Sequence, residues 1–213
     1  MNQYLIELAS LMAIFSFAIV SPGADLAMVM RQSLVHGRRS AIITSFGIGT
    51  ALMFHVTYTI LGLGLIISQS IYLFNIVKWC GVAYLIYIGI KALKASKTDM
   101  SIQAEGADAH EKRQSALKAF GLGFAANALN PKPVFFFLSI FSTVVSAHTP
   151  IAMKFGYGFV MAGCLILWFV GVSMFMTTPK MRAAFSRASQ WIDRASGLVF
   201  IALGLKLATE KAA

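Results

Sequence analysis

The chain has 213 residues, 58% of them hydrophobic and 12% charged, where a soluble domain carries roughly 25% charged residues. Mean hydropathy is +0.74, and the apolar runs are too long and uniform for the alternating faces of a soluble bundle, so composition excludes a soluble fold and indicates a membrane protein. Formal net charge is +10, but the basic residues sit at the ends of apolar runs, so the charge speaks to orientation and not to nucleic-acid binding.

The first apolar run, Tyr4 to Met30, lacks the basic start and small-residue cleavage site of a secretory signal, and we read it as a membrane span. It is interrupted by "SPGAD". Pro22 has no backbone donor and Gly23 is permissive, so the helix breaks there, and Asp25 falls in the first turn of whatever helix resumes. A carboxylate at that position is favoured by the exposed amides. Asp25 either receives a substrate ammonium, carries a proton, pairs with a cation, or caps a helix near the cytoplasmic surface.

The second span, Ala41 to Ile67, holds Gly47 and Gly49, which suit close helix contact, and His55 in "ALMFHVTY". A histidine at mid-span either shuttles protons or bonds a neighbouring helix. The third span runs from Ile71 to Ile90. A polar, mixed-charge stretch follows, a cytoplasmic linker over 93–116 that divides the chain into halves 1–92 and 117–213 of a single transmembrane domain, 1–213.

The fourth span, Leu117 to Val145, is interrupted in turn by "ALNPKPVFF". Pro131 and Pro133 flank Lys132, a cation that translocon scales price at about +2.5 to +3.5 kcal/mol at mid-membrane. Lys132 either holds a carboxylate, counters Asp25 or snorkels to the surface. Asn127 and Asn130 beside it supply donors and acceptors that orient a zwitterion or satisfy broken backbone. Of the three phenylalanines Phe135, Phe136 and Phe137, some line a cavity and some face lipid.

The fifth span, Ile151 to Met176, carries Gly156 and Gly158, again read as packing residues. The sixth, Ile192 to Ala208, opens with Asp193 as an acid at a helix N-terminus beside Trp191. Glu7, near the far end of the first span, reads as an interfacial acid. Cys80 and Cys164 stand alone in apolar context and read as small buried hydrophobes, and no metal or cofactor motif appears.

The halves echo one another. "SPGAD" at 21–25 meets "NPKPV" at 130–134 at an offset of 109, and at the same offset "SFGIGT" from Ser45 meets "KFGYGF" from Lys154. Three spans per half force the halves to face opposite ways, so the expected fold is all-α, six transmembrane helices arranged as two inverted three-helix repeats with helices 1 and 4 broken. Paired breaks expose backbone that lipid tolerates only where protein or a cavity receives it, which points to a transport site. The first, third and fifth connections carry Arg31, Arg38, Arg39, Lys91, Lys94, Lys97, Lys112, Arg113, Lys118, Lys180, Arg182, Arg187 and Arg194, against Lys78, Lys154, Lys206 and Lys211 on the other side. That bias puts the basic loops in the cytoplasm and both termini outside.

"SPGADLAMVMRQSLVHGRRSAIITSFGIGTAL", "GFAANALNPKPVFFFL" and "WIDRASGLVFIALGLKLA" together resemble the lysine exporter and homoserine/threonine resistance (LysE/RhtB) superfamily. The family's motifs map onto Pro22, Gly23, Asp25 and Gly37, and onto Asn130, Pro131 and Lys132. The resemblance implies a multi-pass carrier of the bacterial inner membrane that exports amino acids or related small metabolites by secondary transport, coupled to protons. No cofactor is expected, and no enzyme activity, because the acid–base candidates His55, Asp25 and Asp193 are distributed along different spans; membrane lipid surrounds the chain, and a homo-oligomer is left open. The competing readings are a channel and a structural membrane protein whose buried charges are permanently paired.

Overall fold

The computed structural model describes residues 2–96, 114–175 and 178–210. All its regular elements are helices: α1 (Asn2–Val20), α2 (Ala24–Val35), α3 (Arg38–Gln69), α4 (Ile71–Leu93), α5 (Ala116–Ala128), α6 (Pro131–Thr143), α7 (Ile151–Phe175) and α8 (Pro179–Thr209). Most of the linker expected over 93–116, with Lys97, Lys112 and Arg113, lies outside the described residues.

Among the described residues, α1, the Arg38–Gly62 part of α3, α4 and α7 are each long and apolar enough to cross a membrane. The expected fourth span is two 13-residue helices, each too short to cross alone. The sixth departs from expectation at its start. Its helix begins at Pro179, a residue suited to the first helical position, and continues through the Ala- and Arg-containing "RAAFSRASQW" where the sequence reading placed a connection.

Local chemistry explains most boundaries. Ser70 and Ser115 cap α4 and α5 by accepting the Leu73 and Lys118 amides at 3.2 and 3.3 Å. Asn130 does the same for α6, accepting the Lys132 amide at 3.0 Å, with Pro131 in the first turn, where no donor is needed. Gly37, at φ +84°, makes the left-handed turn that folds α2 back against α3. Gly23 requires no such freedom. Its backbone is extended and a Cβ there would meet only the Ser21 carbonyl at 3.9 Å, so the first break rests on Pro22.

At the centre, α3 packs against α5, α7 and α2, while α4 pairs with α8. Close approach uses small residues. A Cβ on Gly47 would strike the Phe120 carbonyl, and one on Gly123 the Thr44 carbonyl. Gly158 fits against Val56, where a Cβ would come within 2.7 Å, and Gly49 against Ile166. Gly89 and Gly197 face each other between α4 and α8, with Cβ positions 2.9 and 2.7 Å from the opposing carbonyls. Gly156 has nothing within 4 Å, which corrects its reading as a packing residue: it is on the side of α7 turned away from the neighbouring helices.

Large apolar side chains cover much of the outer face of the described helices. Tyr72, Ile76, Phe159, Leu167 and Leu198 are all exposed, as expected where lipid is the solvent. Cys80 belongs to this face of α4 and is exposed, not buried, because an apolar sequence context fits lipid contact as well as a protein core.

Candidate functional site

The two breaks meet. They bound a cavity whose empty space, counting the part open to solvent, is about 530 Å³. Ser21, Gly23, Ala24 and Asp25 line it from the first break, and Asn127, Asn130, Lys132 and Pro133 from the second. Phe15, Leu52, Phe136, Phe137, Leu165 and Phe169 complete an apolar wall. Phe135 is not in that wall; its ring contacts Tyr84 at 4.9 Å between centroids.

Each proline strips a helix carbonyl of its donor, and each carbonyl finds a replacement on a distant helix. Pro22 cannot donate to the carbonyl four residues back, Ala18, and the Lys132 ammonium donates to that oxygen at 3.1 Å. Pro131 likewise deprives Asn127, whose carbonyl receives His55 Nε2 at 3.1 Å and the Asn130 amide at 3.0 Å. A carbonyl only accepts, so His55 carries its proton on Nε2, and Nδ1 takes the Tyr58 hydroxyl at 2.6 Å. The His55 ring is wholly buried and stacks on Phe137 at 8° between planes.

The charges follow the helix ends. Lys132 lies at the carbonyl end of α1 and Asp25 in the first turn of α2, each on the side the helix dipole favours. Among the described residues Lys132 and Asp25 form no ion pair within hydrogen-bonding reach. Lys132 instead turns to Ala18 and to the Phe200 ring, 5.1 Å from its centroid. Asp25 Oδ2 accepts Asn127 Nδ2 at 2.8 Å. Asp25 Oδ1 and Asn127 Oδ1 are both buried and have no hydrogen-bond partner among the described residues. The site therefore presents one cation and two unused acceptors across an apolar chamber.

The family model described as "LysE type translocator" matches residues 16–211. The chain belongs to the LysE/RhtB superfamily of amino-acid efflux translocators. Similar proteins include the uncharacterized membrane protein YrhP of Bacillus subtilis, 28% identical with 94% of this chain and 97% of the relative covered. The threonine efflux protein of Salmonella typhi is 29% identical over 89% of this chain and 91% of its own length. The homoserine/homoserine lactone efflux protein of Salmonella typhimurium is 28% identical over 90% and 91%. No solved structure matches the chain. Members of this superfamily move solutes and catalyse no reaction, so the translocator is no enzyme.

Two acids of the translocator have more elaborate surroundings than their sequence context suggested. Asp193 is no helix-terminal anchor. It lies well inside α8, is 6% exposed, and its Oδ1 accepts the Ser21 hydroxyl at 3.3 Å beside the first break. One turn on, Ser196 donates to the Phe17 carbonyl at 2.8 Å, so one face of α8 holds the broken end of α1. The i, i+3 spacing of Asp193 and Ser196, followed at i+7 by Phe200, was the available signal. Glu7, near the start of α1, is buried in the protein, with partners on the α6–α7 connection and α7.

Proposed function

We propose that this translocator is a secondary active exporter of small, uncharged amino acids or their close derivatives, coupled to protons, in a bacterial inner membrane. The observation that carries the reading is the pair of unused acceptors, Asp25 Oδ1 and Asn127 Oδ1, in one cavity with Lys132. A zwitterion matches that arrangement: its ammonium satisfies the two acceptors and its carboxylate meets Lys132, a charge-assisted bond at each end. The uncapped amide end of α2 adds donors for the same carboxylate. The wall of Phe15, Leu52, Phe136 and Phe169 offers a substrate side chain shape and no counter-charge, which favours threonine-sized neutral substrates over lysine. The threonine and homoserine efflux relatives point the same way.

We read the topology as the inverted repeat, halves 1–92 and 117–213, with basic loops cytoplasmic and both termini external. Three things support it: the breaks recur at an offset of 109, the helix pair α3 and α7 runs antiparallel, as Gly49–Ile166 and Val56–Gly158 show, and so does the pair α4 and α8. At 1.5 Å per residue, the 12 residues of α2 and the 13 of α6 put about 18 and 20 Å of helix on either side of the cavity, a depth near mid-membrane. Exchange of the two halves' conformations would then open the cavity to alternate sides.

Counterflow in proteoliposomes loaded with unlabelled amino acid tests the reading. Labelled threonine, homoserine or another small neutral amino acid is expected to accumulate transiently against its own gradient, with lysine excluded. Conductance without counterflow for any member of the panel would identify a channel and overturn the proposal.

A further inference from the structure

The strongest unassigned chemistry lies beyond the cavity on α2. Gln32 is 0% exposed, and among the described residues neither its Nε2 donor nor its Oε1 acceptor has a hydrogen-bond partner. An amide buried in this way is costly, because the bonds it makes to water are given up and not replaced. Its neighbour Ser33 is buried too, but donates to the Ser173 carbonyl of α7 at 2.9 Å. Asp25 and Gln32 both belong to α2 and stand at i and i+7, which is two turns less about 20°, so they leave the helix on the same face. Gln32 is about 10 Å further along the helix than Asp25, and Val29, between them on that face, is wholly buried.

Two features of its place matter. First, α2 leads from the cavity to the turn at Gly37, and Arg38 and Arg39 follow that turn. On the topology read above this end is cytoplasmic, so Gln32 stands between the cavity and the cytoplasmic water. Second, α2 packs against α3 of its own half and against α5 and α7 of the other. The seam between the halves therefore follows α2, and the Ser33–Ser173 bond, one residue from Gln32, crosses it. Exchange of the two conformations has to part this seam. A position that stays packed throughout would be more stable with an apolar side chain, whereas an amide suits a position that is covered in one state and uncovered in the other.

We propose that Gln32 is a substrate-contacting residue of the cytoplasmic entrance, without a partner while the seam is closed and bound to the amino acid when it parts. Its amide carries both kinds of group that a zwitterion needs: Nε2 donates to the carboxylate, or Oε1 accepts from the ammonium. Being neutral, it holds the amino acid more weakly than the charges of Asp25 and Lys132 do. The substrate therefore meets Gln32 first and moves on by about 10 Å of helix to the stronger site. When the seam closes behind it, the Ser33–Ser173 bond forms again and the Gln32 amide returns to its unpaired state.

This inference rests on the exporter reading, and counterflow by the wild type tests that reading first: no counterflow with any amino acid of the panel removes both. Gln32→Met keeps the length of the side chain and leaves no polar atom unpaired, so its melting temperature in detergent should equal or exceed that of the wild type. Its half-saturation concentration for threonine exchange at the cytoplasmic face, read in inside-out vesicles, should rise about tenfold, the loss of one hydrogen bond to a charged group. The value at the external face, read in right-side-out vesicles, should stay that of the wild type. Gln32→Cys, with Cys80 and Cys164 changed to serine, should react with an impermeant thiol reagent in inside-out vesicles only, and more slowly when a transported amino acid is present. A wild-type half-saturation concentration at the cytoplasmic face of Gln32→Met would overturn the proposal and leave the exporter reading standing. So would a lowered melting temperature with equal losses at both faces, the mark of a purely structural residue, or a Gln32→Cys thiol that the reagent never reaches from the cytoplasmic face.

Discussion

Lys132→Ala is expected to lower counterflow by about two orders of magnitude, the cost of removing one partner from a buried charged contact. Two losses combine in this variant. The cavity loses the cation that the proposed function assigns to the substrate carboxylate, and the Ala18 carbonyl, already deprived of a donor by Pro22, loses its replacement. Lys132→Arg separates them: a guanidinium keeps the charge but carries it on a planar fork that does not reproduce a point donor, so recovery should be partial. Asp25→Asn should be comparably damaging to flux with less effect on folding. The amide fills the same volume beside Asn127, yet it no longer offers a carboxylate to an ammonium. Thermal unfolding in detergent alongside the flux assay distinguishes the roles. Wild-type flux in both Lys132→Ala and Asp25→Asn would remove the cavity from the mechanism.

The second large effect is expected at the α3–α5 contact. In Gly123→Ala the new methyl would land on the Thr44 carbonyl, and in Gly47→Ala on that of Phe120, with the Phe124 nitrogen only 2.9 Å away. Backbone atoms cannot rotate aside as a side chain does, so the helices must separate. That costs about 1–3 kcal/mol in the usual range for overpacking, and more where backbone is struck. The same separation lengthens the bond from His55 on α3 to the Asn127 carbonyl on α5, so flux should fall with stability. Gly156→Ala is the internal control. It adds the same methyl where nothing lies within 4 Å, and its melting temperature should match the wild type. Equal melting temperatures for all three alanine variants would contradict the packing account.

The sequence made the breaks legible because proline acts through its own covalent structure: wherever Pro22 and Pro131 sit, a donor is missing. It did not show which atom pays or which side chain compensates. Ala18 has no polar side chain to draw attention, and its partner Lys132 lies 114 positions away. His55 stood out as a mid-span histidine, but its target, a backbone carbonyl on α5, is invisible in any residue type. The acids show the same limit. Glu7 and Asp193 both stand near the edges of apolar runs, where an exposed anchor and a buried partner share one composition, and only the packing of α1 against α7 and α8 separates the two. Glycines fail for a different reason. Gly158 and Gly156 are two positions apart in a helix and point roughly 200° apart around its axis, so one meets Val56 and the other does not.

The central claim is that the cavity between the two breaks is the substrate site and opens in turn to both sides of the membrane. Ala24 lines that cavity and is exposed to it, which makes Ala24→Cys, with Cys80 and Cys164 changed to serine, a direct reporter. An impermeant thiol reagent should label Ala24→Cys in right-side-out and in inside-out vesicles, and a transported amino acid should slow labelling from either side. Labelling from one side only, unaffected by any amino acid that the protein exchanges, would contradict the account.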